Sequence, residues 1–364
     1  MIGSAEGVEA SPREAFRAGA VTVRPPATTA NLGPGFDAFG LALELRDEVT
    51  VEVVAEPGLA VEVRGEGVDA VPCDENHLIV RSLHAAFAAM GVRPAGLRVA
   101  CVNRIPHGRG LGSSSAAICA GLVAARELAV EGLARFGDEA LLDLATEIEG
   151  HPDNVAPALH GGLTVAWSDP AKDSARRSAA RSEEEPPEES PVDPGFARGS
   201  TQCHIEAQCH IEARRRIGVL RLEPDPSISA VAFIPPMRLA TEQARRILPD
   251  QVPHEDAAFN AGRAGLLTAA LTVHGQSAGH RAMLLYAGTE DRLHQTYRAA
   301  AMPESAALIS RLRDQGFAAV VSGAGPTVLV LATDRERADG AAAQVPAGWR
   351  VERLAVAAEG ARLG

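Results

Sequence analysis

Apolar positions along the chain follow two periods, which together predict a protein of mixed helices and strands. Alternating apolar and polar residues, rich in Val and Thr, predict strands at Val21–Pro25 and Glu48–Val54. Apolar residues at helical spacing predict a helix over Leu78–Met90, which Gly91 would end. An Ala-rich run that follows a Gly/Ser loop and extends through Val130 predicts another helix.

Further periodic segments continue this mixture of helices and strands. They predict helices at Glu139–Glu149, Thr241–Leu248, Phe259–Val273 and Ser305–Gln315, and strands at Leu97–Val102, Ile228–Ile234, Ala318–Ser322 and Thr327–Ala332. Ser305 is expected to cap its helix. The glycines and proline of Ala27–Gly40 predict a tight turn segment. Strands and helices in this order predict an α+β fold with two domains.

A segment of different composition, residues 168–216, separates the two halves of the chain. It is rich in Ser, Glu, Pro and Arg and contains a tandem QCHIEA repeat at Gln202–Ala213. Such a composition cannot bury much apolar surface, so we expect a disordered or surface insertion. Cys203–His204 and Cys209–His210 could ligate zinc, but their spacing differs from known zinc sites and favours a duplicated low-complexity insert. The predicted organisation is a flexible tail at 1–20, domains at 21–167 and 217–364, and the insert at 168–216.

Composition narrows the class of protein. The chain has 364 residues, of which 46% are hydrophobic, and its net charge is −12, which argues against a general nucleic-acid binder. Five cysteines without CxxC spacing fit reduced cytosol. We see no signal peptide in the first twenty residues and no apolar run long enough to span a bilayer. We therefore expect a cytoplasmic protein that binds neither nucleic acid nor membrane, and a homodimer is compatible with the sequence.

Lysine is almost absent from the chain. The single lysine is Lys172, which lies in the low-complexity segment. A P-loop, a protein kinase and a pyridoxal-phosphate enzyme each need a lysine in a defined motif, and none of these fits. Any phosphate charge must therefore be neutralised by Arg, Mg²⁺ and backbone dipoles.

The segment Pro106–Ala117, PHGRGLGSSSAA, has the composition of a phosphate-binding loop. A predicted strand leads into three glycines, and three serines then open an Ala-rich helix. Glycines allow close approach of the backbone to a ligand, and consecutive N–H groups at a helix N-terminus bind anions. Arg104, His107 and Arg109 would add positive charge, and the serine hydroxyls could bind phosphate or Mg²⁺. A glycine-rich turn with a serine cap is the structural alternative.

The segment Glu149–Asn154, EGHPDN, holds two carboxylates, an imidazole and an amide within six residues. Mg²⁺ in proteins takes one or two carboxylates together with substrate phosphates. We predict Glu149 as its carboxylate ligand, with Ser114 opposite. The structural alternative is a helix C-terminus followed by a polar turn.

Several motifs, in this order along the chain, resemble those of the GHMP kinase superfamily and, within it, the homoserine kinases. They are PATTANLGPGFDAFG at Pro26–Gly40, GRGLGSSSAA in the phosphate loop, EGHPDNVAPALHGG at Glu149–Gly162, LHQTYR at Leu293–Arg298 and VSGAGPTVLV at Val321–Val330. The resemblance runs from about Val21 to Ala332 and breaks at residues 168–216. Ser115 is a small departure, since many relatives have Ala there.

The resemblance implies the two-domain GHMP kinase fold, with a ribosomal-protein-S5-like N-terminal domain and a ferredoxin-like C-terminal domain. It implies ATP-dependent phosphorylation of L-homoserine to O-phospho-L-homoserine in threonine biosynthesis, with Mg²⁺. The ATP-binding residues would be Asn76, Pro106, His107, Gly108, Arg109, Gly110, Leu111, Gly112, Ser113, Ser114, Ser115 and Ala116, and the metal ligands Ser114 and Glu149. The substrate-binding residues would be Asn31, Asp37, His151, Asp153, Thr241, Arg245 and Arg298, with Asp153, Asn154 and Arg298 catalytic.

The charged residues that the resemblance assigns to the substrate suit an amino acid. A zwitterion needs a carboxylate for its ammonium group and an arginine for its carboxylate. Thr241 and Arg245 would share one helical face. Whether Asp153 acts as a general base is open, and we favour orientation of the acceptor because a lysine that pairs with this aspartate in the wider superfamily is missing. Two other readings are another acceptor, such as mevalonate or a sugar, and a non-catalytic metabolite-binding protein on this fold.

Overall fold

The computed structural model describes residues 15–168 and 217–364. The Cys/His repeat and all of the predicted insert except Ser168 lie outside the described residues. In the described part, helices and strands alternate as the hydrophobic pattern predicts, and they form three sheets.

A five-stranded sheet forms one layer of the N-terminal half. Its strands are β1 (Ala20–Arg24), β4 (Glu48–Val54), β5 (Gly58–Gly65), β6 (Gly96–Asn103) and β13 (Arg362–Leu363). Their order is β13-β1-β4-β6-β5, and β5 and β6 are parallel while the other pairs are antiparallel. The carboxyl end of β6 leads directly into the predicted phosphate loop, which places that loop at the edge of this sheet.

A second, antiparallel sheet lies beside the first. Its strands are β2 (Pro26–Ala30), β3 (Phe39–Arg46), β7 (Leu163–Ser168) and β8 (Ile217–Leu222), in the order β2-β3-β7-β8. The N-terminal half also contains the helices α1 (Leu78–Ala89), α2 (Ser113–Leu128), α3 (Gly132–Arg135), α4 (Asp138–Glu149) and α5 (Pro152–His160). Helix α2 is apolar over most of its surface because it is buried among α1, α4, α5 and the sheets.

The C-terminal half is built on one antiparallel sheet. Its strands are β9 (Ser229–Ile234), β10 (Ala318–Val321), β11 (Val328–Ala332) and β12 (Arg350–Ala355). The order β10-β11-β9-β12 is the ferredoxin-like order expected from the resemblance. Its helices are α6 (Thr241–Arg246), α7 (His254–Thr272), α8 (Ala278–Gly288), α9 (Gln295–Arg298), α10 (Pro303–Asp314) and α11 (Arg335–Ala342), with a 3₁₀ turn at Ala299–Ala301.

Three local predictions are wrong or incomplete. The predicted turn segment Ala27–Gly40 contains the ends of two strands, and only Asn31–Ala38 forms the turn. Ser305 does not cap α10, because its buried hydroxyl donates to the carbonyl of Pro326. No helix is predicted directly after Glu149, but once Gly150 closes α4, Pro152 opens α5 at a position where its missing N–H is harmless.

Two strand pairings cross the predicted domain boundaries, which stay predictions. Strand β8, expected in the C-terminal domain, pairs with β7, and β13 at the end of the chain pairs with β1. Within the predicted N-terminal tail, Phe16 packs edge-on against Phe87, with 5.3 Å between the centroids of the two rings. This contact places Phe16 against α1 of the N-terminal half.

Within the two described ranges, no helix has the length and apolar character needed to cross a membrane. The predicted cytoplasmic location and homodimer stay predictions.

Candidate active site

The loop between β6 and α2 is shaped by three glycines with left-handed backbone angles. Gly108, Gly110 and Gly112 have φ values of 65°, 76° and 69°, a region that favours glycine. Gly112 is also the N-cap of α2, and no serine side chain caps this helix. Among the described residues, the backbone N–H groups of Ser113, Ser114 and Ser115 have no hydrogen-bond acceptor. The loop therefore presents free donors at the positive end of a helix, which is the arrangement that binds phosphate.

Two of these glycines are also required by close packing. A Cβ atom at Gly112 would overlap the Thr28 hydroxyl, and one at Gly110 would overlap the carbonyl oxygen of Ser322. Ser322 in turn donates from its hydroxyl to the carbonyl of Gly110 at 2.6 Å. The C-terminal domain thus packs directly against the phosphate loop.

The side chains of the loop do not all face the same side. Arg109 donates to the carbonyls of Pro235 and Pro236, both at 2.9 Å, so its guanidinium ties the loop to the C-terminal domain. Arg104 donates to the carbonyl of Arg46, and Pro106 and Leu111 are buried. The guanidinium groups of Arg104 and Arg109 therefore donate to backbone carbonyls, and the N–H groups at the start of α2 are the donors that the loop leaves free among the described residues.

An apolar cavity of about 250 Å³ lies on one side of the start of α2. It is walled by Pro25, Val49, Val71, Pro72, Leu78, Ile79, Ala116 and Ala117, with Asp47, Asn76, His77, Asn103, His107, Ser113 and Ser114 as its polar members. The exposed Asn76 follows Asp74 in a turn and stands at this cavity, as its predicted role requires. The cavity has apolar walls that could contact a nucleobase, and Ser113 and Ser114 of the phosphate loop are among its lining residues.

A polar cavity of about 250 Å³ lies on the other side of the same loop and shares Ser113 and Ser114 with the apolar cavity. It brings together most of the predicted site residues: Asn31, Asp37, Gly108, Gly110, Gly112, Ser113, Ser114, Glu149, His151, Asp153, Asn154, Thr241, Arg245 and Arg298. Because the two cavities meet at the loop, a nucleotide in one would direct its phosphates toward the other.

Glu149 contacts the serines at the start of α2. Its Oε1 accepts hydrogen bonds from the hydroxyls of Ser114 at 2.7 Å and Ser115 at 2.9 Å. Burial raises the pKa of Glu149, although both serine hydrogen bonds act in the opposite direction. No ion pair to an Arg or His side chain compensates this carboxylate among the described residues. A carboxylate and a hydroxyl beside phosphate donors are ligands of the kind that Mg²⁺ takes.

The first turn of α5 carries a compact polar group. Asp153 is 2% exposed, and its Oδ1 lies 2.5 Å from His151 Nδ1 and 3.3 Å from Asn154 Nδ2. Asn154 Oδ1 accepts a hydrogen bond from the Thr28 hydroxyl at 2.8 Å. Burial alone would lower the pKa of His151, but the hydrogen bond and charge of Asp153 outweigh it and raise that pKa. The Asp153 carboxylate is thus held in place and lines the polar cavity.

Asn31 and Asp37 come from the turn between β2 and β3, and both have left-handed backbone angles. Asn31 accepts a hydrogen bond from the Asp37 N–H at 2.9 Å and donates to the Gly323 carbonyl at 2.8 Å. The Asp37 carboxylate forms a two-point ion pair with Arg245 on α6, at 3.0 and 2.8 Å. Thr241 begins the same helix and lines the same cavity. The pair joins the two domains across the polar cavity.

Arg298 is the most unusual charge in the polar cavity. It is 1% exposed, and no carboxylate lies within 4.0 Å of it among residues 15–168 and 217–364. Its guanidinium donates to the carbonyls of Ala244 and Gly323 and to Nδ1 of His294. Burial lowers the pKa of Arg298, and the neighbouring charge of Arg245 lowers it further. A buried, incompletely paired guanidinium at a cavity is an anion-binding feature.

His294 holds this arginine in place. Its Nε2 lies 2.8 Å from the Gly33 carbonyl, so Nε2 carries the proton and Nδ1 accepts from Arg298 at 3.1 Å. Burial lowers the pKa of His294, which keeps the ring neutral. Asp291 accepts hydrogen bonds from the N–H groups of Leu293, His294 and Gln295 and fixes the start of α9.

Sequence reasoning missed the residues that position the site rather than line it. Thr28 contacts Asn154, Ser322 contacts Gly110 and His294 contacts Gly33, and no helical or strand periodicity indicates such distant contacts. The available signal is that all three residues lie within the motifs Pro26–Gly40, Leu293–Arg298 and Val321–Val330. Asp47, buried in the apolar cavity, had no signal in its neighbourhood of the sequence.

Comparison with known proteins agrees with this geometry. Residues 77–162 match the GHMP kinases N terminal domain, and residues 267–351 match the GHMP kinases C terminal domain. The chain is 51% identical over 347 residues to the homoserine kinase of Streptomyces coelicolor, covering 95% of each chain. It is 50% identical over 347 residues to that of Streptomyces avermitilis, covering 95% of this chain and 96% of the relative.

Solved structures show the same fold. The crystal structure of homoserine kinase from Cytophaga hutchinsonii superimposes with a TM-score of 0.71, at 23% identity, over 95% of this chain and 97% of that one. At that identity the likeness shows the fold alone, whereas the Streptomyces relatives carry the family assignment. On the family-model matches and the identity to these relatives, the chain belongs to the GHMP kinases and, among them, to the homoserine kinase family.

Proposed function

We propose that this protein transfers the γ-phosphoryl group of ATP to the hydroxyl of L-homoserine, giving O-phospho-L-homoserine and ADP as a step of threonine biosynthesis. The observation that carries the proposal is the buried Arg298, which has no carboxylate partner among the described residues and lies in the polar cavity next to the phosphate loop. The relatives' name supplies the substrate, and the charges of this cavity support it.

The polar cavity offers one partner for each charge of the amino acid. The Asp37 carboxylate would receive the ammonium group, while Arg245 and Arg298 would hold the carboxylate, with the Thr241 hydroxyl beside them. A bound zwitterion would replace the direct Asp37–Arg245 ion pair by two ion pairs of its own. A substrate without an ammonium group would leave Asp37 without that gain, which disfavours mevalonate or a sugar.

ATP would lie across the two cavities. Its nucleoside fits the apolar cavity beside Asn76, and its phosphates would lie on the N–H groups at the start of α2. The phosphate loop therefore supplies the charge stabilisation that a lysine supplies in other nucleotide-binding motifs.

Ser114 and Glu149 would hold Mg²⁺. No cluster of three or more His, Cys, Asp or Glu side chains forms a metal site within the described ranges, but Mg²⁺ on ATP needs only one or two carboxylates because phosphates complete its ligands. The raised pKa of the buried Glu149 fits a carboxylate whose charge is compensated when a cation binds. When bound, the ion would neutralise charge on the β- and γ-phosphates.

Asp153 and Asn154 would orient the acceptor hydroxyl. In the transfer, the hydroxyl oxygen forms a bond to the γ-phosphorus as the bond to the β–γ bridging oxygen breaks and ADP leaves, and the hydroxyl proton passes to an oxygen of the transferred phosphoryl group. Such a reaction depends on positioning and charge stabilisation more than on covalent chemistry. We assign Asp153 to orientation, because His151 and Asn154 both hold its Oδ1 in a fixed direction.

A coupled ADP-release assay with L-homoserine, L-serine, L-threonine and mevalonate tests the proposal. We expect ATP- and Mg²⁺-dependent turnover with L-homoserine that clearly exceeds turnover with the other three. Absence of turnover with L-homoserine, or preference for mevalonate, would contradict the proposal.

A further inference from the structure

The apolar cavity contains one carboxylate, that of Asp47. This residue lies in the short connection between β3 and β4 and is 4% exposed. Its Oδ1 accepts hydrogen bonds from the backbone N–H groups of Arg104 at 2.6 Å and Ile105 at 2.9 Å. One oxygen of the carboxylate thus anchors the strand end that leads into the phosphate loop.

The second oxygen of Asp47 is not used by the protein. In the described part of the chain, no donor lies within hydrogen-bonding distance of Oδ2, and no Arg or His forms an ion pair with Asp47. The nearby Arg104 guanidinium instead donates to the Arg46 carbonyl. Oδ2 is not fully buried, although it has no partner among the described residues. Asp47 lines the apolar cavity, so its small exposed area opens to that cavity.

A charge in this position is unfavourable for the fold. Burial raises the pKa of Asp47 to about 6; the two backbone N–H groups and Arg104 lower it, and Glu66 raises it further. Asparagine would accept the same two N–H groups through its amide oxygen without a buried charge. A buried carboxylate that forms no ion pair among the described residues breaks a local rule of protein interiors, and such departures are expected at functional sites.

We propose that Asp47 recognises the nucleoside, with Oδ2 accepting a hydrogen bond from either the exocyclic amino group of the base or a ribose hydroxyl. The proposal rests on the proposed function, which places the nucleoside of ATP in the apolar cavity. A ligand donor would satisfy an acceptor of this cavity that the described residues leave free, and a group without a donor would bind less well because the carboxylate is buried.

Asp47→Asn separates recognition from loop anchoring. The amide oxygen keeps both hydrogen bonds to Arg104 and Ile105, whereas the amide nitrogen replaces an acceptor by a donor on the cavity side. Steady-state kinetics with ATP, inosine triphosphate, 2′-deoxyATP and 3′-deoxyATP at saturating L-homoserine then measure the effect. We expect the KM for ATP to rise about tenfold or more, with kcat within about twofold of the wild type.

The analogues identify the group that Asp47 contacts. For the analogue that lacks this group, the wild type has a raised KM and Asp47→Asn raises it no further. If inosine triphosphate gives this result, Asp47 contacts the amino group of the base. If a deoxynucleotide gives it, Asp47 contacts the ribose hydroxyl that this nucleotide lacks. An unchanged KM for ATP, or an equal loss with all four nucleotides, would overturn the proposal in favour of loop anchoring alone.

Glu66→Gln is the matched control, since it removes the neighbouring carboxylate charge without altering the cavity lining. We expect its KM for ATP to stay within about twofold of the wild type. If Asp47→Asn does not fold, the four nucleotides are compared with the wild type alone. An equal kcat/KM for all four would overturn the proposal. A kcat/KM about tenfold lower for one analogue would support it. If the wild-type protein forms no ADP from ATP in the presence of L-homoserine, that result would instead refute the proposed function.

Discussion

Among single residues, Arg298 combines features that are rarely found together in a protein without a ligand-binding role. It is buried, it is oriented by His294 and two carbonyls, and no carboxylate in the described ranges neutralises it. Asp37 and Arg245 face the same cavity as a pair that a zwitterion can separate. These three charges explain why an amino acid fits this cavity better than a neutral alcohol.

Arg298→Lys is expected to raise the KM for L-homoserine about tenfold or more and to leave the KM for ATP within about twofold. A lysine keeps the charge but loses the planar fork that binds a carboxylate at two points and the donation to His294. Initial rates with each substrate varied in turn measure both constants.

Arg292→Lys is the control for that substitution, because Arg292 lies in the same segment but stacks on Phe259 at 3.9 Å and pairs with Asp256. It should leave both constants near those of the wild type. Equal effects of the two substitutions on L-homoserine binding would show that Arg298 acts through the fold of the segment.

Asp153→Asn tests how the acceptor hydroxyl is activated. The amide oxygen can still accept from His151 and Asn154, so the geometry of the first turn of α5 is kept. If Asp153 orients the hydroxyl, kcat falls less than about tenfold. A fall of about a hundredfold or more is the size expected for loss of a general base, and it would refute the assignment.

Asp47→Asn also makes a prediction about pH and stability. Burial raises the Asp47 pKa from 3.8 to about 6, so between these values the native carboxyl holds a proton that the unfolded chain has lost. Native stability therefore falls as pH rises through this window, by up to about 3 kcal/mol at 1.36 kcal/mol per unit. Asparagine lacks this penalty, so the variant should melt at a higher Tm than wild type at pH 8, and the gain should shrink toward pH 4. If the variant has no higher Tm than the wild type, or the same Tm difference at pH 8 and pH 4, the claim that Asp47 is a buried charge would be contradicted.

Among the elements, the phosphate loop depends on backbone shape more than on its side chains. Gly112→Ala should raise the KM for ATP about tenfold or more and lower the Tm, because Gly112 has φ 69° and an added Cβ would overlap the Thr28 hydroxyl. The left-handed angle alone costs a non-glycine residue about 1–2 kcal/mol. Thr28 also bonds Asn154, so its displacement would disturb both cavities.

The matched control is Gly262→Ala, in the exposed interior of α7, where an added Cβ meets no atom within 4 Å. It should leave both KM values unchanged and raise stability by about 0.5–1 kcal/mol. Thermal melting and ATP titration of both variants separate the two effects. An active, stable Gly112→Ala protein would refute the packing seen at the loop.

Elements with local signals could be predicted from the sequence, and elements that depend on distant partners could not. Strand β4 was predicted at its observed bounds, and α1 and α4 were predicted to within about a residue, because their periodicity and terminal glycines are local. Helix α5 is not predicted, because glycine and proline after Glu149 are typical of a helix end, although the same proline also begins a helix. Ser305 was misassigned because only the fold shows that Pro326 takes its hydroxyl.

At the scale of the whole molecule, the candidate site is formed by both domains. Asp37, Asp153 and the phosphate loop come from the N-terminal half, and Arg245 and Arg298 from the C-terminal half. The sequence motifs indicate the chemistry of these residues. The residues come together in one cavity because of contacts between the domains, such as those of Asn31 with Gly323 and of Arg109 with Pro235. Such contacts, like the pairing of β13 with β1, span most of the chain and leave no local pattern.

This division of charges makes recognition of the substrate a property of the assembled protein. The N-terminal half would bind the ammonium group and the C-terminal half the carboxylate, so a molecule with one charge engages one domain. The phosphate loop belongs to the N-terminal half and contacts the C-terminal half through Gly108, Gly110 and Arg109, so the proposed phosphate transfer would take place where the two domains meet.

The most direct measurement compares kcat/KM for L-homoserine with that for 4-hydroxybutanoate, which lacks the ammonium group, and 3-amino-1-propanol, which lacks the carboxylate. Each keeps the terminal hydroxyl at the same distance from its remaining charge. Loss of a buried ion pair to a charged group is worth about a hundredfold, so both analogues should fall by at least that factor. If either analogue is phosphorylated within about tenfold of L-homoserine, the two-charge account of this cavity is contradicted.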